Sequence, residues 1–252
     1  MELRSHIGAL AGEGRLLAGS VTDFAATVPT CPDWTVRDLL RHIGMVHGWA
    51  RCHVAEARQE LITDTSSFET WPEDDDAALV DWYRAQQAAL VETLEAADPE
   101  LDCYSFLPGQ RGTRFWARRQ AHETAIHRVD AQGVTGAVTA TSPEFAADGV
   151  DEILHGFFAR RSRTVVSDPP RSFGLHADDA GRTWAVTIGA EGVNTVDGDG
   201  DGDPDVRVTG SAFDLYLLLW NRRELEGLDV QGDPAELEFW RDTARVKWSQ
   251  SS

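Results

Sequence analysis

Periodic apolar residues before position 140 constrain the fold of this chain more than any other feature. Four stretches repeat apolar residues at three- and four-residue steps, which places them on one face of a helix. We predict helices over residues 3–28, from Thr35 onward, from the acids at 73–76 onward, and from about Arg114 to Gln132. Four consecutive amphipathic helices predict a four-helix bundle, since each must bury its apolar face against the others.

The sequence changes character near residue 140, where we predict a domain boundary. Thr35 with Asp38 resembles a capping box for helix two, and Ser142 followed by Pro143 predicts the start of a fifth helix. Shorter alternating runs then indicate strands separated by turns. The predicted elements after residue 140 are strands at 171–177, 182–189 and 204–210 and helices at 142–161, 211–223 and 233–245. We therefore expect an all-α domain followed by a smaller α/β domain.

Charge and composition exclude several classes of function. The formal net charge of −19 repels phosphate backbones and anionic lipids, so neither nucleic acid nor a membrane is an expected partner. The sequence has no run of 18 apolar residues, and its N-terminus lacks the apolar core of a signal peptide, which predicts a cytoplasmic protein. The three cysteines lack C-x-x-C spacing, so they predict neither a disulfide framework nor a thiolate-rich zinc site.

The sequence RRQAHETAIHRVD, residues 118–130, places ionisable groups on a helix face that should enter the bundle core. His122 and His127 are five residues apart, roughly 140° around a helix, so they cannot pair like the two histidines of an H-E-x-x-H zinc protease. Glu123 and His127 are four residues apart and share a face. Buried ionisable groups are costly unless paired or bound to metal. The motif therefore predicts either a satisfied polar network or a metal or acid–base site.

Each face of this helix has a distinct composition. The predicted core-facing stripe comprises Phe115, Trp116, Arg119, His122, Glu123, Ile126, His127 and Asp130, and the opposite face carries Arg114, Arg118, Ala121, Ala125 and Arg128. A metal site would need a further ligand from another helix. Helix two offers His42, His47 and His53, and pattern alone favours His47, which lies nearest the centre of the apolar stripe. Two histidines and a carboxylate suit Zn²⁺, Fe²⁺ or Ni²⁺ with an open coordination position.

A second acidic motif, DGDGDGDPD at 197–205, begins like a calcium-binding EF-hand loop. Its twelfth position is Val208, where a bidentate glutamate is needed, and no helices flank it. We therefore predict an acidic turn between strands.

Four sequence blocks carry a resemblance to a known family: CPDWTVRDLLRHIGMVHGWA, RRQAHETAIHRVDAQ, FAADGVDEIL and GSAFDLYLLLWNRR, in this order. Together they resemble the actinobacterial mycothiol-dependent maleylpyruvate isomerase family. The resemblance implies an α+β chain. It assigns a DinB-like four-helix-bundle metal-binding domain to residues 1–140 and a smaller SCP2-like α/β domain to residues 141–252.

The resemblance also implies the metal ligands. It assigns metal binding to His42, Glu123 and His127, and so replaces His47 with His42. The metal expected is divalent, with Zn²⁺ favoured over Fe²⁺ or Ni²⁺, and mycothiol is the expected cosubstrate. His122 or Asp130 is a candidate for orienting a ligand from behind, with Asp38 the weaker choice.

A catalytic arginine is implied at the end of the last block. Arg222 or its neighbour Arg223 would hold a substrate carboxylate, and the alternative is a helix-end arginine bound to the helix dipole or to Glu224.

The implied function is activation of mycothiol, or of a similar small thiol, for isomerisation of or S-transfer to a small electrophile. In maleylpyruvate isomerisation, the thiolate adds to the cis double bond, the resulting single bond rotates, and the thiolate leaves. The alternative is a non-catalytic protein that retains the fold and binds a metal and a small ligand. A monomer or a homodimer is expected.

Overall fold

The computed structural model describes residues 1–73, 75–159 and 165–244. It divides into two compact units, Met1–Thr139 and Ala140–Ser252. Asp74 in the acidic start of the predicted third helix, and the predicted helix ends at 160–161 and 245, lie outside the described residues.

The first unit contains four long helices and a short β-hairpin. In chain order its elements are α1 (Leu3–Ser20), β1 (Thr27–Val28), β2 (Cys31–Thr35), α2 (Val36–Ala55), a single 3₁₀ turn (Ser66–Phe68), α3 (Asp76–Ala96) and α4 (Gly112–Gly133). The predicted starts of α2, α3 and α4 agree with the structure. At Gly14, α1 packs closely against α3, and a Cβ there would displace the amide of Gln87, which donates to the Leu10 carbonyl.

The prediction that the first helix reaches residue 28 was wrong. Helix α1 ends at Ser20, and the carboxylate of Asp23 accepts a hydrogen bond from the backbone N–H of Ala25 in the turn that follows. The helical spacing of apolar residues continues past the end of α1 because Val21 and Phe24 pack against the same core from a segment that is not helical. This segment leads into the hairpin of β1 and β2, which pair antiparallel.

Helix α4 is the most deeply buried element of this unit. Every residue from Phe115 to Gln132 except Arg118 is buried. The burial therefore includes Ala121, Ala125 and Arg128 on the face opposite the predicted core stripe. The helix does not have one core side and one solvent side, and its charged residues must be satisfied on both.

The second unit combines helices with a five-stranded sheet. Its elements are α5 (Pro143–Asp151) continuing as a π-helical turn (Glu152–Phe157), β3 (Arg171–Ala177), β4 (Arg182–Gly189), β5 (Gly192–Asp197), β6 (Val206–Gly210), α6 (Ala212–Leu219), β7 (Asp229–Gly232) and α7 (Ala235–Thr243). The strand order is β5-β4-β3-β6-β7, and β3 pairs parallel with β6 while the other pairs are antiparallel. This arrangement confirms the α+β fold class.

The sequence did not predict the two edge strands, β5 and β7. Strands β5 and β7 have no fully buried side chain, so the apolar alternation of the inner strands is missing from them. The acidic stretch after Asp197 connects β5 to β6, as expected of a turn, and Asp199 binds Arg207 at 2.9 Å. The side chain of Ser142 caps α5, as predicted. Among the described helices, none is long and apolar enough to cross a membrane.

Candidate metal centre

The start of α2 fixes which of its residues face α4. The Thr35 hydroxyl accepts a hydrogen bond from the Asp38 N–H at 3.3 Å, and the Asp38 carboxylate accepts one from the Thr35 N–H at 2.9 Å. This is the predicted capping box. These two hydrogen bonds tie Asp38 to Thr35 at the start of α2, and neither of them joins Asp38 to a predicted histidine ligand. His42 then lies about one helical turn further along α2.

Three side chains from α2 and α4 converge in the interior of the bundle. Glu123 Oε1 lies 3.6 Å from His42 Nε2 and 3.4 Å from His127 Nε2. Glu123 and His127 are 2% and 0% exposed, and His42 is 12% exposed, but the atoms of all three that face one another are buried. The structure thus brings together the residues that the resemblance implied.

The spacing of these atoms fits a shared metal ion better than direct hydrogen bonds. Distances of 3.4 and 3.6 Å exceed the usual N–H···O length. Two ligands of a tetrahedral zinc ion with bonds of about 2.0–2.2 Å lie roughly 3.4 Å apart. In addition, the buried Glu123 Oε1 accepts no hydrogen bond from any of the described residues. A buried carboxylate oxygen facing two imidazole nitrogens is suited to a cation.

Each ligand candidate on α4 has a partner on the atom that faces away from the other ligands. Arg119 donates to Glu123 Oε2 at 3.1 Å, which leaves Oε1 turned towards the histidines. Asp130 Oδ2 lies 3.0 Å from His127 Nδ1, and its other oxygen accepts a 2.5 Å hydrogen bond from Thr30. An ionised Asp130 accepts a hydrogen bond from Nδ1 and so directs Nε2 of His127 towards Glu123, where it could bind a metal after losing its own proton.

An indole ring borders the group. The ring of Trp34, on β2, lies 4.7 Å from the His42 ring and 6.0 Å from the His127 ring, measured between centroids. Trp34 therefore lines this region of the bundle.

Burial and neighbouring charges shift the pKa values in opposite directions. Burial alone would raise the pKa of Glu123, but contacts with His127, His42 and Arg119 outweigh it and hold that pKa well below its usual range. Burial lowers the pKa of His42. For His127, burial is outweighed by Asp130 and Glu123, which raise the pKa to about 8. At neutral pH Glu123 is therefore the anion of the group.

The other histidines have structural contacts. His47, the choice of pattern alone, lies 2.9 Å from the Thr124 hydroxyl, and burial lowers its pKa to about 3. His53 lies within hydrogen-bonding distance of the Trp49 carbonyl and the Ile62 N–H. His122 stands beside His6, with ring centroids 6.2 Å apart. None of these three belongs to the His42, Glu123 and His127 group among the described residues.

The two predicted arginines lie in the second unit, just after α6. Arg223 pairs with the Asp214 carboxylate and donates to the carbonyls of Glu224 and Glu226. Arg222 donates to the Trp220 carbonyl at 2.8 Å. The carboxylate of Glu224 pairs with Arg241. The carbonyl that Arg222 binds belongs to the residue that ends α6, and the substrate-binding role of either arginine stays a prediction.

Sequence reasoning missed two contributors to the site. Arg119 was placed on the core stripe without a role, although its spacing of four residues from Glu123 could have indicated the pair. Thr30 lies in a turn 100 positions before its partner Asp130, and no local pattern indicates such a contact.

Comparisons with known proteins agree with this architecture. A solved structure of the mycothiol-dependent maleylpyruvate isomerase aligns over 92% of this chain and 93% of its own, with 14% identity and a TM-score of 0.61. The structure of a histidine-to-alanine mutant of that enzyme gives the same values. At this identity, the likeness shows a shared fold. A comparison with curated protein sequences found no match.

Family models cover both units of the chain. Residues 7–132 match the model described as the mycothiol maleylpyruvate isomerase N-terminal domain. Residues 144–239 match the corresponding C-terminal domain model. The chain therefore belongs to the mycothiol-dependent maleylpyruvate isomerase family, a family of enzymes.

Proposed function

We propose that this protein is a metal-dependent enzyme that activates mycothiol, or a similar small thiol, for attack on a small electrophile. The reaction is isomerisation of the electrophile or S-transfer to it. The observation that carries the proposal is the convergence of His42, Glu123 and His127, with a buried oxygen of Glu123 facing both imidazoles at 3.4 and 3.6 Å. Family membership supports the thiol and the reaction class.

The chemistry of the donor set favours a particular kind of ion. Two imidazole nitrogens and one carboxylate oxygen form a three-ligand set that leaves a coordination position open, which is typical of catalytic zinc. Fe²⁺ and Ni²⁺ accept the same donors. A divalent ion held here would supply the Lewis acidity that lets a small thiol lose its proton near neutral pH.

The residues of this chain prepare the site for that task. Arg119 and Asp130 fix the rotamers of Glu123 and His127, so the donor atoms are positioned before anything binds. Glu123 provides the negative charge that attracts a cation into a buried position.

We also propose that Arg222 or its neighbour Arg223 holds a substrate carboxylate, as the family resemblance implies. Arg222 donates to the Trp220 carbonyl, and Arg223 pairs with Asp214. Replacing Arg222 with methionine is expected to raise the KM for a carboxylate-bearing substrate more than it lowers kcat.

The decisive experiment is metal analysis of the purified protein, followed by titration with mycothiol and assay of maleylpyruvate turnover. We expect one metal per chain, a spectral change of the cobalt-substituted protein on thiol addition, and turnover that requires both. His42→Ala and Glu123→Ala should lose the metal, whereas His47→Gln should keep it. Turnover that persists without metal would contradict the proposal. Metal binding with no thiol-dependent turnover across a panel of electrophiles would favour the non-catalytic alternative.

A further inference from the structure

The hairpin formed by β1 and β2 reaches the candidate metal centre from outside the helices. Thr30 lies in its exposed turn, yet its hydroxyl donates a 2.5 Å hydrogen bond to the buried Asp130. Trp34, on the second strand of the same hairpin, lies over the rings of His42 and His127. The hairpin therefore touches the metal centre at two points.

Two hydrogen bonds link Thr30 to His127 through Asp130, and the donor of each is defined. The Thr30 hydroxyl donates to Asp130 Oδ1, so this oxygen is an acceptor. The other oxygen, Oδ2, lies 3.0 Å from His127 Nδ1 and accepts its proton. The carboxylate thus has one fixed orientation, in which both oxygens are engaged and the imidazole plane is set. Without the hydroxyl, Asp130 loses a hydrogen bond that helps to fix this orientation.

We propose that Thr30 is a positioning residue for metal binding, acting through Asp130 on the imidazole of His127. This inference rests on the proposed function, and it adds a residue from the hairpin turn that the helices alone do not supply. Outer partners of metal-bound histidines typically change metal affinity by about 10- to 100-fold. Since Thr30 acts through one intervening side chain, we expect the lower end of that range.

The test compares zinc affinity, measured by competition with a chelator, among variants of the full chain. Thr30→Val keeps the shape of the side chain and removes its donor, and it should weaken zinc binding by about 10-fold. Thr30→Ser restores the donor and should recover most of the affinity. Because the variant loses one hydrogen bond to a buried carboxylate, the metal-free protein should stay folded with a modest fall in melting temperature.

A matched control lies on the same hairpin. Thr27, on β1, is also exposed, and its hydroxyl is in no hydrogen bond with the described part of the chain. Thr27→Val should bind zinc like the unmodified protein. A double-mutant cycle then locates the effect: in an Asp130→Asn background, Thr30→Val should change zinc affinity by less than about 3-fold.

The outcomes separate this inference from the proposed function. If the unmodified protein takes up no zinc, cobalt or other divalent metal, the proposed function fails. If it binds zinc and Thr30→Val binds it within about 2-fold as tightly, a difference too small for an outer partner, only the role of Thr30 is overturned. A full 10-fold loss that persists unchanged in the Asp130→Asn background would also overturn that role, since Thr30 would then not act through Asp130.

Discussion

Two of the buried ionic groups on helix α4 differ in how their carboxylates are paired. In the first group, Arg128 donates to Glu13 at 2.7 Å, to Gln132 at 2.9 Å and to the Thr139 carbonyl. We call these residues the Arg128 network. In the second, the candidate metal centre, Glu123 Oε1 accepts no hydrogen bond from the described residues. Both groups contain buried charges, so burial alone does not distinguish the candidate functional site from a structural ion pair.

The comparison teaches where to look for function in a helix that is polar on several sides. The Arg128 network pairs a cation with an anion and ties α4 to α1, so its charges are compensated within the protein. The candidate metal centre gathers one carboxylate and two imidazoles around a common point. Arg119 pairs with one oxygen of Glu123, and the other oxygen faces the imidazoles without a hydrogen bond from the described residues. Removing a residue should therefore affect mainly folding in the first case and mainly metal binding in the second.

The largest effect is expected from Glu123→Gln. The substitution keeps the size of the side chain but removes the charge that attracts the metal. Loss of an outer partner lowers metal affinity by up to about 100-fold, and zinc affinity should fall by more than this in Glu123→Gln. Thiol-dependent turnover should fall with it. Chelator competition and turnover assays measure both, and stoichiometric zinc in the purified variant would contradict the expectation. The metal-free variant should lose some stability, because the buried Arg119 loses its anionic partner, although the amide oxygen of Gln can still accept its hydrogen bond.

Arg128→Met should mainly lower the stability of the fold and leave the metal ligands in place. It leaves Glu13 in a largely buried site without its cation, and the free energy of unfolding should fall by about 3–5 kcal/mol. Urea unfolding followed by circular dichroism measures the change.

A matched control for Arg128→Met lies on the same helix. Arg114 pairs with Glu100 at the surface, where both side chains are more than a third exposed, so Arg114→Met should cost less than about 1 kcal/mol. Equal destabilisation by the two variants would contradict the contrast between buried and exposed pairs.

Metal loading should stabilise the protein only through the candidate centre. At a free metal concentration 100 times the Kd, binding to the folded state adds about 2.7 kcal/mol to the free energy of unfolding. Thermal unfolding with and without zinc measures this gain. The gain should be absent from Glu123→Gln and present in His47→Gln, and stabilisation of all three proteins to the same degree would place the metal elsewhere.

His47 offers a smaller, pH-dependent test. Burial lowers its folded-state pKa from 6.5 to about 3, so the unfolded chain takes up a proton below pH 6.5 that the folded protein excludes. Stability is lost as the pH falls from about 6.5 towards 3, and at pH 5 the loss is about 2 kcal/mol. His47→Gln removes this contribution. Its free energy of unfolding should therefore fall less between pH 8 and pH 5 than that of the unmodified protein, and an identical fall in both would contradict a buried neutral His47.

Local sequence rules recovered much of the architecture. The capping box at Thr35 and the cap at Ser142 marked helix starts because a cap depends on residues three positions apart. Inner strands β3 and β4 were found at their full lengths because burial on the sheet imposes alternation. Edge strands β5 and β7 lack that burial, and the end of α1 was hidden by apolar residues that continue into a turn.

By itself, the sequence determined that Glu123 and His127 share a face of α4, because four residues make close to one helical turn. It did not determine which histidine of α2 joins them. His42 and His47 both lie along the apolar side of that helix, and only the packing of α2 against α4 brings His42 to Glu123 and leaves His47 beside Thr124. The contact from Thr30 to Asp130 was likewise decided by tertiary structure, since it joins residues 100 positions apart. Helix periodicity fixes the relations within one element, whereas the choice of partner depends on how separate elements pack.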